Sequence, residues 1–236
     1  MDLLENENVE NRHPWEIARV RIVSELIRNQ NLEPCRWVDL GAGDQYVYEQ
    51  LKHLGFFYLI DKQFERLSTT ENSVMLHDLD GVDFSKVRGV LLLDVLEHVQ
   101  DDEKFFSDLL KKADTGTIFF ITVPAHQFLF SKHDQFLKHF RRYNNRTLKR
   151  ILGGNKSSIV KCHYFFFSLF FVRALQKIMG MSESHKINAW KFSDSHIITK
   201  IIISILLLDY NACRLLSLIG INLPGLSMVS VVTKTS

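Results

Sequence analysis

Short apolar runs alternate with helix-like stretches along most of this 236-residue chain, and this alternation constrains its fold more than any other feature. Within each run Leu, Val, Ile and Phe follow one another with few polar interruptions, as in strands whose two faces are both buried. Strands of that kind, separated by helices, form a parallel sheet. The predicted strands are residues 36–40, 57–60, 73–76, 89–93 and 117–123. The sequence therefore indicates an α/β core, preceded by a helix predicted over residues 14–27.

The remainder of the chain has a different character. Residues 157–167 and 227–233 are predicted to form two further strands, and residues 165–225, which connect them, are predicted to form an apolar helical insertion. A chain of this length can bury one full core. We therefore expect a single domain over residues 1–236 that contains this insertion.

Two long apolar stretches, residues 165–179 and 197–221, make up most of the insertion. Charged residues interrupt both, so neither has the roughly 20 consecutive apolar residues of a membrane-spanning helix. On a helical wheel the polar residues of the second stretch fall on one side and leave a broad Ile/Leu face, which predicts an amphipathic helix. Those polar residues are His196, Lys200, Ser204, Asn211 and Arg214. Such a face fits a packed cap or a homodimer interface, and it also fits peripheral contact with a membrane or a lipid-linked substrate.

The charge balance and the cysteines narrow the classes of partner and compartment. A formal net charge of +2 argues against nucleic acid as a partner, because nucleic-acid-binding proteins carry a strong basic excess. Cys35, Cys162 and Cys213 lie far apart and form no metal-type pair, so neither a disulfide framework nor a zinc knuckle is expected. The acidic N-terminus lacks the features of a secretory signal. We expect a cytoplasmic protein, either free or peripheral on the inner face of the membrane.

The strongest local signal is the sequence VDLGAGD at residues 38–44. It joins the end of a predicted strand to a helix through Gly41 and Gly43. Glycine permits positive φ and lets a ligand lie against the backbone, while a helix start offers unpaired N–H groups. A nucleotide-like ligand fits here, and so does the plain alternative of a tight strand-to-helix turn. Tyr46 occupies the position of the third glycine of a dinucleotide fingerprint, which argues against a bound pyrophosphate.

Polar side chains follow the next three predicted strands. Asp61 stands about 20 residues after the first glycine, where a carboxylate can bind the hydroxyls of a ribose. Asp78 and Leu79 close the third strand, in a position suited to the edge and face of an adenine. Asp94 and His98 follow the fourth strand, at the end where open α/β sheets bind ligands. Each also has a plain structural alternative, namely a helix cap, an exposed turn or a histidine bonded to backbone.

In this order and at these spacings, DLGAGD, Asp61, HDL and DVLEHV resemble the class I methyltransferases that depend on S-adenosylmethionine (SAM). The resemblance implies a Rossmann-like, seven-stranded, mostly parallel sheet whose last strand is antiparallel, with helices on both faces. It also implies that the methionine part of SAM lies over Gly41 and Gly43, that Asp39 faces its amino group, and that acidic residues after the second and third strands bind its ribose and adenine. The implied cofactor-binding residues are Asp39, Gly41, Gly43, Asp61, Asp78, Leu79 and Asp94.

The segment from residue 123 to residue 143 is similar to a subgroup of bacterial methyltransferases associated with cell-surface glycan or secondary-metabolite pathways, as is the motif NRHPW that ends at Trp15. That subgroup has Gly-His before Arg-Arg-Tyr, whereas this chain has Lys138-His139, a departure that affects the backbone geometry of the loop. The resemblance implies a small-molecule or glycan acceptor, and the apolar insertion also fits a lipid-linked one. The substrate-binding candidates are Trp15, His126, Arg141, Arg142 and Tyr143. An Arg-Arg-Tyr run also commonly pairs with nearby acids inside a protein.

Methyl transfer from a sulfonium is an in-line displacement, so the protein mainly has to align the acceptor and exclude water. A hydroxyl or ammonium acceptor also has to lose a proton. The candidates for the base that takes it are His98, His133, Asp134 and His139. No metal site is expected, because the histidines between His126 and His139 match neither a helical metal-binding pair nor a paired-cysteine scheme.

Two other functions stay open at the level of sequence. A nucleotide-dependent oxidoreductase shares the fold class, although Tyr46 disfavours it. A non-catalytic subunit with the same fold would instead use the apolar insertion to support a partner protein.

Overall fold

The computed structural model describes residues 11–32, 34–154, 156–180 and 191–236. Its strands are β1 Cys35–Leu40, β2 Gly55–Ile60, β3 Ser73–Leu76, β4 Val87–Leu93, β5 Ile118–Pro124, β6 Ser157–Phe165 and β7 Ser227–Lys234. They form one seven-stranded sheet in the order β3-β2-β1-β4-β5-β7-β6. The first five strands are parallel, whereas β7 runs antiparallel to both β5 and β6. The predicted mostly parallel sheet with its last strand reversed is confirmed.

Helices cover both faces of this sheet, as predicted. They are α1 Pro14–Arg28, α2 Tyr46–Leu51, α3 Asp102–Lys112, α4 Lys132–Phe136, α5 Asn145–Leu152, α6 Phe167–Ile178 and α7 Ile197–Leu218. Buried side chains form one core under α1, α2 and α7 and a second core under α3 and α5. Neighbouring residues of β1 enter opposite cores, Trp37 the first and Val38 the second, because successive strand side chains point to opposite faces.

A tight contact at the centre of the sheet sets the register of three strands. Trp37 of β1 pairs with Phe57 of β2 and with Gly89 of β4. Its indole stacks on the Phe57 ring, with 5.9 Å between centroids. A Cβ on residue 89 would lie 2.2 Å from the indole, so only glycine leaves room for it. This register brings the carboxyl ends of β1, β2 and β4 to one edge of the sheet.

The observed strand ends lie within two residues of the predicted ends. The end of β6 differs from its predicted position by two residues. The predicted strand 157–167 is too long, because β6 stops at Phe165. Phe166 has a φ of 64°, a left-handed conformation that breaks the strand and starts the turn into α6. The run 165–167 consists of phenylalanine alone, so strand and helix have the same apolar composition at the boundary.

Helices α6 and α7 lie between β6 and β7, within the predicted insertion. Asp209 of α7 accepts hydrogen bonds from the backbone N–H and the hydroxyl of Ser168, at 3.0 and 2.9 Å, and so caps the first turn of α6. Arg214 of α7 forms an ion pair with Glu25 of α1 at 2.7 Å. The charges that interrupt the apolar stretch in sequence therefore make contacts within the protein.

Helix α7 buries one apolar side and exposes another. The buried side packs on α1 and β6 through Ile203, Leu206, Tyr210 and Cys213. The exposed apolar residues are Ile197, Ile198, Ile201, Ile205, Leu208, Leu215 and Leu218. Within the described part of the chain, α7 alone is long and apolar enough to cross a membrane by length and composition, with a mean hydropathy of 1.7. The predicted Ile/Leu face is thus divided between the core and the surface.

Candidate active site

The strand order creates a crevice at the carboxyl ends of β1 and β4. After β1 the chain adds β2 and β3 on one side, and β4 then returns to the other side of β1. The loops that leave β1 and β4 diverge at such a reversal, and open α/β sheets bind their ligands there. The segments that follow these two strands carry the predicted residues Gly41, Gly43, Asp94 and His98.

The turn after β1 is tied to the end of β2 by its backbone. Gly41 and Gly43 have positive φ values of 74° and 51°, which glycine adopts without strain. The Gly41 N–H donates to the Ile60 carbonyl at 2.8 Å, and the Gly43 N–H donates to Oδ2 of Asp61 at 2.9 Å. A Cβ on residue 41 would lie 3.0 Å from the Val95 side chain, which belongs to the loop after β4. A side chain at this position would therefore narrow the crevice.

Asp39 lies in β1 just before this turn. It is 2% exposed, and its Oδ2 has no hydrogen-bond partner among the residues that the structure describes. Burial raises the pKa of Asp39 to about 7, and the charge of Arg19 opposes that shift. The negative charges of Asp61 and Asp44 raise it further. Asp39 therefore offers a buried oxygen that a cationic hydrogen-bond donor would satisfy.

The two predicted residues beyond β2 and β3 have different surroundings. The second oxygen of Asp61 accepts from the Gln63 N–H at 2.9 Å, so the carboxylate is held in one orientation beside the glycine turn. Asp78 is exposed and accepts from the Asp80 N–H at 2.9 Å, as in a turn. Leu79 packs partly against the second core. Both follow the edge strand β3.

Arg19 was not among the predicted site residues, yet it connects several of them. It is 2% exposed, and its guanidinium forms an ion pair with Asp94 at the end of β4. Asp94 has a φ of 56° and accepts a hydrogen bond from the Thr122 hydroxyl of β5 at 3.0 Å. The Trp15 ring lies 5.0 Å from the Arg19 guanidinium carbon. The sequence does carry a signal for Arg19, because it is an arginine on the apolar side of the first helix, one turn after Trp15.

Three side chains with metal-ligand chemistry meet beside the end of β4, and we call them the three-residue cluster. Glu97 and His98 belong to a short 3₁₀ helix after β4, and His139 comes from the loop after α4. One ligand-type atom of each lies within 4.8 Å of the other two, and the imidazole rings are 4.6 Å apart, edge to face. Glu97 is fully buried, which raises its pKa to about 8. The structure thus brings the predicted His98 and His139 together and adds Glu97.

Asp134, fully buried in α4, holds His139 in place. The Nδ1–H of His139 donates to its Oδ1 at 3.0 Å, and Arg142 donates to both oxygens at 2.8 and 2.9 Å. The backbone N–H and the hydroxyl of Ser131 also donate to Asp134, at 2.9 and 3.0 Å. Although burial opposes the shift, the hydrogen bond from His139 and the charge of Arg142 hold the pKa of Asp134 well below its usual range. Asp134 is therefore an ionised acceptor that orients His139.

The Arg141-Arg142-Tyr143 run is engaged inside the protein. Arg141 forms an ion pair with Asp102 at 2.7 Å, and the buried Tyr143 hydroxyl donates to the same carboxylate at 2.8 Å. Arg142 pairs with Asp134. The sequence analysis left open whether this run binds the acceptor or pairs with nearby acids, and both arginines pair with acids in the structure. They fix the loop that carries His139.

The other two predicted histidines lie outside the three-residue cluster. His126 follows β5, stacks on Tyr164 with 4.9 Å between ring centroids, and contacts Phe170 of α6 at 4.8 Å. Burial lowers the pKa of His126. His133 lies in α4 and is not a member of the cluster. The predicted acceptor-side residues are therefore spread over the loop and the base of the insertion.

No protein-family model and no curated protein matches the chain, whereas solved structures share its fold. The cyclase SpnF is 10% identical and superposes with a TM-score of 0.57, over 97% of this chain and 85% of that one. A protein named as a sarcosine dimethylglycine methyltransferase from Galdieria sulphuraria is 8% identical, with a TM-score of 0.57 over 93% of this chain and 86% of that one.

A further similar structure is a methyltransferase in complex with the Trm112 methyltransferase activator of Haloferax volcanii. It is 12% identical, with a TM-score of 0.52 over 86% of this chain and 83% of that one. At such identities the likeness establishes the fold, and the resemblance to a bacterial subgroup stays a prediction. The chain therefore has the Rossmann-like fold of the class I SAM-dependent methyltransferases.

Proposed function

We propose that this chain transfers a methyl group from SAM to a small-molecule, glycan or lipid-linked acceptor. The observation that carries the proposal is the buried Oδ2 of Asp39 beside the glycine turn, which has no hydrogen-bond partner among the described residues. A carboxylate of this kind suits a ligand that brings an ammonium group and no phosphate. Asp44 and Asp61 add negative charge nearby, and this charge disfavours the pyrophosphate of a dinucleotide.

The residues present fit SAM at three points. Asp39 would accept a hydrogen bond from its amino group, and Gly41 and Gly43 would leave room for its methionine part. Asp61, already oriented by two backbone N–H groups, would accept from the ribose hydroxyls. SAM supplies, when bound, a methyl group on a sulfonium that an aligned nucleophile can take. The remaining proposed cofactor contacts are Asp78, Leu79 and Asp94.

The proposed acceptor side is the space beside the three-residue cluster. Asp134 fixes the orientation of His139, so a hydroxyl placed there meets a preorganised site that can take up its proton. This arrangement favours His98 and His139 over His133 among the candidates for that role. Trp15, beside Arg19, and His126, among aromatic rings, are the proposed contacts of the acceptor itself.

Calorimetry tests the cofactor directly. We expect SAM and its demethylated product to bind with one site per chain and NAD to show no binding. Asp39→Asn should weaken SAM binding, whereas Asp114→Asn, an exposed position, should not. Binding of NAD without SAM would support an oxidoreductase, and binding of neither would support a non-catalytic subunit. If SAM binds, transfer of a labelled methyl group to candidate acceptors then tests the reaction.

We also propose that the exposed side of α7 contacts a lipid surface, which would bring a lipid-linked acceptor to the site. The support is the row of exposed Ile and Leu on α7 together with exposed apolar residues of α6, which are Phe171, Val172, Leu175 and Ile178. The exposed cations Arg173 and Lys200 suit anionic headgroups. Flotation with anionic vesicles should carry the wild type but not an Ile201→Gln, Ile205→Gln double variant. A chain that stays unbound and dimeric would instead assign this face to a second copy.

A further inference from the structure

The three-residue cluster contains a buried carboxyl group that has no hydrogen-bond partner among the described residues. Glu97 is fully buried, and neither carboxylate oxygen has a hydrogen-bond partner among the described residues. Ionisation of a buried carboxyl group without hydrogen bonds carries a large desolvation cost, which the charges of Arg19 and Arg142 offset only in part. The imidazoles of His98 and His139 lie beside it. When uncharged they do not neutralise a carboxylate, but they can bind a metal ion. A cation that imidazole nitrogen also binds would stabilise the ionised form of Glu97 and give its oxygens a partner.

The positions of the three groups suit a single ion. One candidate ligand atom each of Glu97, His98 and His139 lies within 4.8 Å of the others, which is close enough for all three to contact one metal after small rotamer changes. Metal–nitrogen and metal–oxygen bonds of a zinc site are about 2 Å long, so two ligands of one ion lie about 3–4 Å apart.

Asp134 gives His139 the surroundings of a metal ligand. Its carboxylate accepts the Nδ1–H of His139 at 3.0 Å, which leaves Nε2 as the nitrogen that can coordinate. Carboxylates that hold metal-binding histidines in this way set the tautomer and orient the ring. Asp134 is itself immobilised by Arg142 and by the cap of α4. The ring of His139 is thus fixed from outside the cluster.

We propose that Glu97, His98 and His139 bind one divalent transition-metal ion of the Zn²⁺ class. Two imidazole nitrogens and one carboxylate oxygen are one of the donor sets found in catalytic zinc sites, whereas Ca²⁺ and Mg²⁺ prefer oxygen ligands. Three protein ligands leave at least one coordination position open. The ion binds through the protein alone, so this inference goes beyond the proposed methyl transfer and does not require it.

The proposed ion also gives the cluster a more specific role in the proposed reaction, and only this role rests on that proposal. An acceptor hydroxyl that occupies the open position would have its pKa lowered by the ion. His98 and His139 would then hold the metal, and the proton of the hydroxyl would pass to solvent water and not to either histidine. Metal dependence therefore separates a metal site from a histidine base.

The test is titration of the full chain, stripped with a chelator, with Zn²⁺ against a chromophoric competitor and with Co²⁺ followed by visible absorption. We expect one site per chain, and a Co²⁺ spectrum that Zn²⁺ abolishes. Glu97→Gln and His139→Asn should each remove saturable binding, and His53→Asn, an exposed histidine elsewhere, should leave it intact. Asp134→Asn should weaken binding by about 10–100-fold, as for other carboxylates behind a ligating histidine.

Circular dichroism shows which variants are folded, and Glu97→Gln removes the carboxylate ligand with little change in side-chain shape. Absence of saturable binding by the wild type would overturn the proposal. Unchanged affinity in folded Glu97→Gln and His139→Asn would overturn it as well. SAM binding by the stripped protein is measured in the same preparation, so failure of the metal site and failure of the proposed function give different results.

Discussion

The backbone N–H of Gly43 donates to the Asp61 carboxylate at 2.9 Å, and this bond joins the turn after β1 to the end of β2. We expect Asp61→Ala to weaken SAM binding by about 10–100-fold, because hydrogen bonds to charged groups contribute about 1.5–3 kcal/mol. The variant loses both the proposed ribose contact and the partner of the glycine turn. Calorimetry measures the change, with Asp80→Ala at an exposed position as the matched control. Equal affinities of the two variants would rule out the proposed role of Asp61.

SAM binding should depend on the ionisation of Asp39, whose pKa burial raises to about 7. An ammonium group stabilises the ionised carboxylate, so binding releases a proton and affinity should increase as the pH rises towards 7. Asp39→Asn should bind SAM about 10-fold more weakly at pH 8 and lack this pH dependence. The titration of the amino group of SAM acts equally on both proteins. Calorimetry in buffers of different ionisation enthalpy measures the released proton, and identical pH profiles would contradict the assignment.

The raised pKa of Asp39 affects folding in the opposite direction: stability should fall as the pH rises, whereas SAM binding should strengthen. The folded pKa of Asp39 lies above its value of 3.8 in the unfolded chain, so ionisation costs stability as the pH rises from about 4 to about 7. Asp39→Asn should therefore be at least as stable as the wild type at pH 8. Urea unfolding measures this, and a marked loss of stability would show that Asp39 has a structural role.

Acid should destabilise the protein through His163 of β6. Burial lowers the pKa of His163 from 6.5 to about 4, and the charges of Lys161 and Arg214 add to the shift. A lowered folded pKa means that the stabilising neutral form is lost as the pH falls from about 6.5 to about 4. On going from pH 7.5 to pH 4.5, His163→Phe should lose about 2 kcal/mol less free energy of unfolding than the wild type. His53→Phe, at an exposed position, should follow the wild type, and a parallel loss in all three proteins would contradict the prediction.

The contact between Gly89 and Trp37 should tolerate no side chain. Gly89→Ala places a Cβ about 2.2 Å from the indole, so the sheet or the ring has to shift. We expect a loss of about 1–3 kcal/mol in the free energy of unfolding, as for other overpacked cores. Gly154→Ala is the matched control, since its nearest contact would be an ordinary 3.9 Å. Denaturant midpoints measure the loss. If Gly89→Ala loses no more stability than Gly154→Ala, the sheet accommodates the methyl group and the prediction is wrong.

The sheet and the glycine turn could be predicted because their signals are local. Each buried strand is a continuous apolar run, and DLGAGD contains both its strand end and its glycines within six letters. Asp39, Gly41, Gly43 and Asp61 all meet at the turn as a result. The end of β6 could not be predicted, because the left-handed Phe166 is flanked by identical residues.

The acceptor side could not be predicted in the same way, because its contacts join distant parts of the chain. Glu97 and His139 stand 42 positions apart in sequence, and no motif spacing reports that their side chains meet. The sequence also presents Asp134 as one more base, whereas its bonds to Arg142 and His139 make it an orienting acceptor. Arg19 was not predicted, because a single charge within an apolar helix face resembles an interruption of the pattern. In the structure its guanidinium pairs with Asp94.

The placement of Arg19 also bears on how a spent ligand leaves. The guanidinium of Arg19 pairs with Asp94, and its charge also acts on the buried carboxyl groups of Asp39 and Glu97, so acidic groups outnumber it in the crevice. In the proposed reaction the donor enters with a positive sulfur and departs as a neutral thioether. The electrostatic potential of the crevice then attracts fresh donor more strongly than used donor. Charge would therefore favour the exchange of used donor for fresh donor.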